Sequence, residues 1–313
     1  MLLSRRLSIS LVTWNVWFDS LERTARYNHI FQTIQSIKPD IVCLQEVTPY
    51  FVEQLKLWPE ILKFYSFSDQ LDSASIIPYG VAVLCRKSLS PEFKFVALPT
   101  NMYRKLLITD FQIDKQMFTI GTVHLESLNN QKMREEQLVI CSQQLNSRPF
   151  SLLCGDFNFC SYRNFDENSS SRLDNSCLAE ILPEYIDIWP ELKGPSNLGY
   201  TFDTINNGML CGHPFERMRY DRIIYRSATS CSDSASSELS WRPVHVELLG
   251  VDPISSSESS AGGTNNASTG TPDAKMKVVL PQQPSKRTGD KGSAIIPIYP
   301  SDHFGLFAVF EKL

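Results

Sequence analysis

Residues 151–158 read SLLCGDFN: an apolar run, a glycine, then an aspartate and an asparagine one residue apart. Ser151 to Asp156 has the length and apolar content of a buried strand, so Asp156 and Asn158 fall where that strand ends. The same construction recurs. Asn15 closes Leu11-Val12-Thr13-Trp14, Gln45-Glu46 closes Ile41-Val42-Cys43-Leu44, and His124 closes Ile120-Gly121-Thr122-Val123. Asp302-His303 stands just ahead of a last apolar run, Leu306 to Phe310. Strand ends are rigid mounts, and side chains there can converge on one rim. A convergent set of Asn, Glu, Asp and His suits metal-assisted phosphodiester cleavage: a hard cation takes carboxylate oxygens, a water must be oriented, and an anionic transition state needs donors.

Each piece alone has an ordinary reading. Glu46 reads as a solvated strand end, Gly155-Asp156-Phe157-Asn158 as an Asp/Asn turn, His124 as a satisfied core histidine, and Asp302-His303 as a cap or surface turn. The order and spacing of all the pieces together single them out.

Working outward, further strands are expected at Ile9 to Val16, Asp40 to Val47, Val81 to Arg86, Leu106 to Ile113, Met117 to Leu125, Tyr220 to Tyr225 and Val244 to Val251. Ser20 is placed to cap a helix with the apolar face Tyr27, Ile30, Phe31, Ile34 and Ile37, stopped by Pro39. A second helix is expected from Asn130 to Leu145, with Met133, Ile140, Cys141 and Leu145 on one side. Many strands separated by a few long helices predict an α+β fold: a four-layer α/β/β/α sandwich of two packed, mostly antiparallel sheets flanked by helices.

The chain has 313 residues, 42% hydrophobic and 11% aromatic, which supports a large core and excludes whole-chain disorder. A formal net charge of -4 excludes a generally basic nucleic-acid binder while leaving room for a local basic groove. No apolar run nears the roughly 18 residues of a membrane span. The start, MLLSRRLSISLVTW, reads as a strand running into Asn15 and not as a secretory leader. The eight cysteines form no CxxC pair and several sit inside apolar runs, as buried thiols of a reducing compartment do. Residues 255–294 contain no aromatic residue and are rich in Ser, Gly, Asn, Thr and Pro, so a disordered insertion is expected there within a single domain spanning 1–313. Seven of the fourteen residues from Ser227 to Ser240 are serine, which predicts a second mobile loop.

TWN, LQEV, HLES, GDFN and SDH, in this order, resemble the endonuclease/exonuclease/phosphatase superfamily across the whole chain except the insertion. Within it, three stretches are similar to the tyrosyl-DNA phosphodiesterase 2 branch. They are Thr100 to Leu107 (TNMYRKLL), His124 to Ser127 with Arg134 and Gln137-Leu138, and Tyr200 to Thr204 followed by Arg219 to Arg222. The resemblance implies that Glu46 holds one Mg²⁺ or Mn²⁺ and that Asp156 and Asn158 position and activate the attacking water. It implies that Asn15 bonds within the same polar centre and that His124, Ser127 and His303 donate to phosphate oxygens. Asp302 would support the metal's water shell, and Asp221 would pair with the motif histidine and fix its tautomer. Arg104 would contact the phosphate or the leaving group, and Phe202 would offer an aromatic surface to DNA.

The chain departs from the family pattern in places. Trp17 stands where an Asp commonly follows TWN, with Asp19 nearby. GDFN replaces GDTN, with Cys160 and Ser161 after it, and Phe202 occupies a position commonly held by Trp. The implied activity is Mg²⁺-dependent hydrolysis of 5′-phosphotyrosyl-DNA bonds, a DNA-repair reaction leaving a 5′-phosphate. The implied partner is a DNA 5′ end bearing a tyrosyl or peptide adduct. The protein is expected to be a monomer without a membrane partner, in nucleus or cytoplasm and not secreted. Two other readings stand beside this one: another hydrolase of the same fold, such as an abasic-site endonuclease, a deadenylase, a sphingomyelinase or an inositol-phosphate phosphatase, and an inactive binding module.

Overall fold

The structure, a computed structural model, describes residues 7–160, 162, 172–226, 241–254 and 296–312. The expected insertion at 255–294 and the serine-rich loop at 227–240 lie outside the described residues. The first half of the chain runs β1 (Ser8–Asn15), α1 (Arg23–Ile37), β2 (Ile41–Val47), α2 (Pro49–Lys56), α3 (Pro59–Phe64), β3 (Tyr65–Phe67), β4 (Gly80–Arg86), β5 (Glu92–Ala97), β6 (Lys105–Ile113) and β7 (Gln116–His124). The second runs α4 (Gln131–Leu145), β8 (Ser151–Asp156), α5 (Asp174–Ile181), β9 (Ile186–Asp187), α6 (Ile188–Lys193), β10 (Phe202–Asp203), β11 (Arg217–Met218), β12 (Asp221–Arg226), β13 (Trp241–Leu249) and β14 (Gly305–Lys312).

Two six-stranded sheets result, ordered β13-β14-β1-β2-β4-β3 and β5-β6-β7-β8-β12-β9, with β10 and β11 as a separate pair. Each large sheet has one parallel neighbour pair, β1/β2 and β7/β8, and is otherwise antiparallel. The parallel pairs are those whose connections carry the long helices α1 and α4, because a parallel return needs a crossover. Ile9, Leu11, Ile41, Cys43, Phe118, Ile120, Leu152, Cys154, Ile223 and Phe310 meet in the layer between the sheets. Val12, Trp14, Val42 and Leu44 face α1 and α2, and Val123, Leu153 and Ile224 face α4 and α5. The four-layer sandwich is the architecture the strand and helix pattern predicts.

Local details differ. Ser20 does not cap α1: Glu22 does so in left-handed conformation (φ 43°), without a side-chain bond. The helix ends on Lys38, also left-handed, whose N–H reaches Ile34 O before Pro39. Helix α4 buries Arg134 and Gln137 beside Leu138, Cys141 and Leu145, while Met133 and Ile140 are only half-buried. A helix that buries two polar side chains cannot be oriented from apolar spacing. The short elements α2, α3, α5, α6, β3, β5 and β9 to β11 carry too few periods to stand out in the sequence.

Candidate active site

Read along their inner faces, the central strands change from apolar to polar toward one end. On β1 the column is Ile9, Leu11, Thr13, Asn15; on β7 it is Phe118, Ile120, Thr122, His124; on β8 it is Leu152, Cys154, Asp156. Side chains alternate with period two, so the last polar residue of each column inherits the direction of the core residues below it. Register then sets them side by side: His124 pairs with Asp156 across β7/β8, and Asp221 with Asp156 across β8/β12. From the opposite sheet Asn15 Nδ2 donates to Asp156 Oδ2 at 3.0 Å. That bond brings the two strand ends to one point. On β2 the ladder is interrupted between Leu44 and Val47, where Glu46 takes φ 60°. Without such a bulge Glu46 would follow Leu44 toward α1, because i and i+2 share a face.

The loop carrying Asp302 and His303 is fastened to β1. Trp14 Nε1 donates to His303 O (3.1 Å) and Ser301 Oγ to Asn15 O (2.6 Å). His303 Nδ1 lies 2.8 Å from Asp221 Oδ2, and its Nε2 3.9 Å from Asp156 Oδ2. Burial opposes charge on His303, but Asp221, Asp302 and Asp156 outweigh it and raise its pKa well above the usual imidazole range. Asp221 is buried and its pKa is raised by that burial, with His303 opposing the rise. The imidazolium therefore keeps its Nδ1 proton on Asp221 and turns Nε2–H into the site.

His124 is set oppositely. Arg104 Nη1 lies 2.8 Å from His124 Nδ1. A guanidinium offers no acceptor, so Nδ1 must accept and the ring proton sits on Nε2, 3.4 Å from Asp156 Oδ2. Burial first, and Arg104 second, hold His124 well below its usual pKa, so it is a neutral donor. Asp156 itself accepts from Asn15 and from Asn158 N (2.9 Å), while Asn158 Nδ2 is anchored on Leu125 O. Burial pushes the Asp156 carboxyl up, but His124, His303 and these donors prevail and leave it below the ordinary carboxylate range.

Glu46 accepts from Phe18 N at 3.0 Å. Its pKa is pushed up to about 7, first by burial and then by Asp302. Asp302 is likewise raised by burial, and Ser301 Oγ reaches its Oδ1 at 3.2 Å. A carboxylate whose charge is opposed by burial and by a second carboxylate suits a hard cation, so the residues present fit Mg²⁺ or Mn²⁺. Among the described residues, Asp156, Asp221 and His303 also place ligand atoms within 4.8 Å of one another. That trio excludes Glu46, and its histidine Nδ1 is already engaged by Asp221, so it suits an oxygen-preferring ion less well.

The remaining expected residues are distributed around this centre. Arg104 is buried, 6% exposed, with Nε unpartnered, and its guanidinium lies 5.6 Å from the ring centre of Tyr79. Ser127 Oγ donates to Met102 Sδ (2.9 Å) beside it. Phe202 is not an open platform: it is 8% exposed and meets the His303 ring edge-on at 5.3 Å. Asp19 is exposed and its carboxylate accepts from Leu21 N at 2.8 Å, closing a local turn. Trp17 takes φ 55°, donates its N–H to Asn15 Oδ1 and lies under the Arg26 guanidinium at 4.6 Å. Sequence reasoning gave no role to Arg26, Tyr79, Glu126 or Gln137. Glu126 and Gln137 stand inside recognised stretches, whereas Arg26 and Tyr79 carry no motif signal.

The profile of the Endonuclease/Exonuclease/phosphatase family matches residues 12–303. Tyrosyl-DNA phosphodiesterase 2 of Danio rerio is 28% identical over 257 residues, covering 79% of this chain and 62% of that protein. The Homo sapiens protein of the same name is 25% identical over 253 residues, 78% of this chain and 63% of that one. The chain thus spans 62% to 63% of the length of these two curated relatives. Among solved structures, D. rerio TDP2 complexed with single strand DNA product superposes with a TM-score of 0.67 at 23% identity, over 97% of this chain and 98% of that one. The human Nocturnin catalytic domain with bound sulfate gives 0.58 at 17%, over 99% and 97%. Both are likenesses of fold.

Proposed function

From membership of the endonuclease/exonuclease/phosphatase family, to which this chain belongs, we propose that it is a divalent-metal-dependent phosphodiesterase. Its substrate in this reading is a DNA 5′ end carrying a tyrosyl or peptide adduct, and its product a 5′-phosphate. The supporting observation is the single polar centre in which Asp156 is held by Asn15 and Asn158 and flanked by a neutral and a charged histidine. The names of the curated relatives support the substrate class.

In this reading ionised Asp156 orients a water and accepts its proton as oxygen attacks phosphorus. His303, charged and fixed by Asp221, donates from Nε2 to a non-bridging phosphate oxygen. His124 donates from its own Nε2, and Arg104, backed by no carboxylate among its described partners, supplies positive charge. Glu46, with Asp302 beside it, would hold Mg²⁺ or Mn²⁺, which supplies charge neutralisation for the phosphate oxygens. Tyrosine is a tolerable leaving group because its phenol has a pKa of about 10. The setting proposed is DNA repair by a monomer in nucleus or cytoplasm; no helix among the described residues is long and apolar enough to cross a membrane.

The burial of Phe202 favours a second reading, a hydrolase of the same fold acting on an abasic duplex or on poly(A), because it removes one open stacking surface. A substrate panel under identical Mg²⁺ separates the two. Release of tyrosine from a 5′-tyrosyl oligonucleotide should exceed turnover of the others and fall by roughly 10²–10⁴ in Asp156→Asn. Faster cleavage of the abasic duplex or poly(A) would replace the first reading with the second.

A further inference from the structure

The turn that delivers Arg104 to His124 is organised by a buried carboxylate that takes no part in the centre described above. Glu126 has no exposed surface, and no ion pair to it occurs among the described residues. One oxygen, Oε1, accepts from Asn101 N at 2.9 Å. The other, Oε2, accepts from Thr100 Oγ1 at 2.7 Å and from Gln137 Nε2 at 3.4 Å. Gln137 is also fully buried. Its Nε2 ties Pro99 O (2.8 Å) and its Oε1 takes Glu126 N (2.8 Å). Thr100 Oγ1, having given its proton to Glu126, accepts from Met102 N (2.8 Å) and Arg104 N (3.1 Å). One donation and two acceptances use all that a hydroxyl has. The next link is Arg104 Nη1 on His124 Nδ1 at 2.8 Å.

We infer that Glu126, Thr100 and Gln137 are positioning residues whose joint task is to hold the Arg104 guanidinium against His124. Chemistry explains why position 126 is a carboxylate. Both of its oxygens face N–H donors, Asn101 N on one side and Gln137 Nε2 on the other. An amide placed there would set its own NH₂ against a donor in either orientation. Proximity explains the coupling: Glu126 lies two residues after His124, so the element that presents the imidazole also builds the turn that presents its guanidinium partner. A shared scaffold keeps that donor pair in register, where a misplacement of about 1 Å costs about a hundredfold in rate.

The catalytic arm of this inference rests on the phosphodiesterase reading; the spectroscopic arm does not. The variants are T100V, which keeps the side-chain shape without the hydroxyl, T100S, which restores it, E126Q, R104A and the double variant T100V/R104A. The ¹⁵N spectrum of the His124 imidazole, assigned with H124Q, reports whether Nδ1 accepts a hydrogen bond. Wild type and T100S should show that signature, and R104A, T100V and E126Q should lose it. For 5′-tyrosyl oligonucleotide hydrolysis, T100V should lower kcat/KM at least about tenfold, yet by less than about twofold once Arg104 is absent. T100S should recover to within about twofold of wild type. A folded T100V that keeps the imidazole signature overturns the inference. So does an equal T100V loss with and without Arg104. If wild type hydrolyses nothing, the functional reading fails while the spectra still decide the positioning role.

Discussion

Gly155→Ala is the substitution whose effect the structure fixes most tightly. Gly155 takes φ +131°, and a Cβ built there would sit 1.9 Å from Val123 O on the neighbouring strand β7. Carbon and carbonyl oxygen normally approach no closer than about 3.3 Å. The strands must therefore part by about 1.4 Å, and they would do so one residue before His124 and Asp156 face each other across the same pair. Backbone strain at this φ costs on the order of 1–3 kcal/mol and overpacking a similar amount, together about 3–5 kcal/mol. At about 2–4 °C per kcal/mol this is a fall of roughly 6–20 °C in Tm. Gly194→Ala is the control: φ is +77° and ψ 163°, a conformation essentially confined to glycine, and nothing lies within 4 Å, so strain acts alone at about 1–3 kcal/mol. Thermal scans of both variants, with kcat/KM measured well below the lower midpoint, separate clash from strain. Activity of folded Gly155→Ala should fall by about a hundredfold. Equal loss of stability in the two variants would refute the argument, since the clash would then contribute nothing.

Three other outcomes follow from the charges. Glu46, raised from 4.5 to about 7 without metal, carries a penalty that is absent below its ordinary value, builds up as pH rises toward about 7 and stays at its full size above that. Mg²⁺ should therefore raise Tm more near pH 8 than near pH 5, relative to chelator; an equal shift at both would place the ion elsewhere. Glu46→Gln should abolish most of that shift and Asp221→Asn should not, with binding followed calorimetrically; the reverse result would favour the Asp156–Asp221–His303 trio. Buried Asp203 is pushed up by burial, but bonds from Arg217, Ile205 N and Asn206 N overcome this and lower its pKa. Its contribution is present above the ordinary aspartate value and is lost as pH falls through the depressed one. Asp203→Asn should cost about 1–3 kcal/mol in denaturant unfolding near neutral pH.

The sandwich was legible because long strands of one period and two long crossover helices are local signals: Asp40 to Val47 and Ser151 to Asp156 read as strands from composition alone. The site was legible in part for the same reason, since Asn15, His124 and Asp156 continue core columns whose direction is set by alternation. Glu46 broke that rule, and only the bulge at φ 60° turns it from its column. Phe202 shows the opposite limit: an aromatic near a polar motif reads alike whether it faces a ligand or packs on His303, because exposure is a property of the neighbours.

What the sequence determined by itself was the identity and order of the polar residues at the strand ends and the layers that carry them, because hydrophobic period and strand-end chemistry are written in adjacent residues. Which imidazole is neutral and which charged was decided only by tertiary structure. His124 and His303 have the same intrinsic pKa, and they diverge because one meets Arg104, twenty positions away, and the other Asp221, eighty-two positions away. Electrostatic interactions depend on distance through space, and that distance exists only once the two sheets have closed on each other.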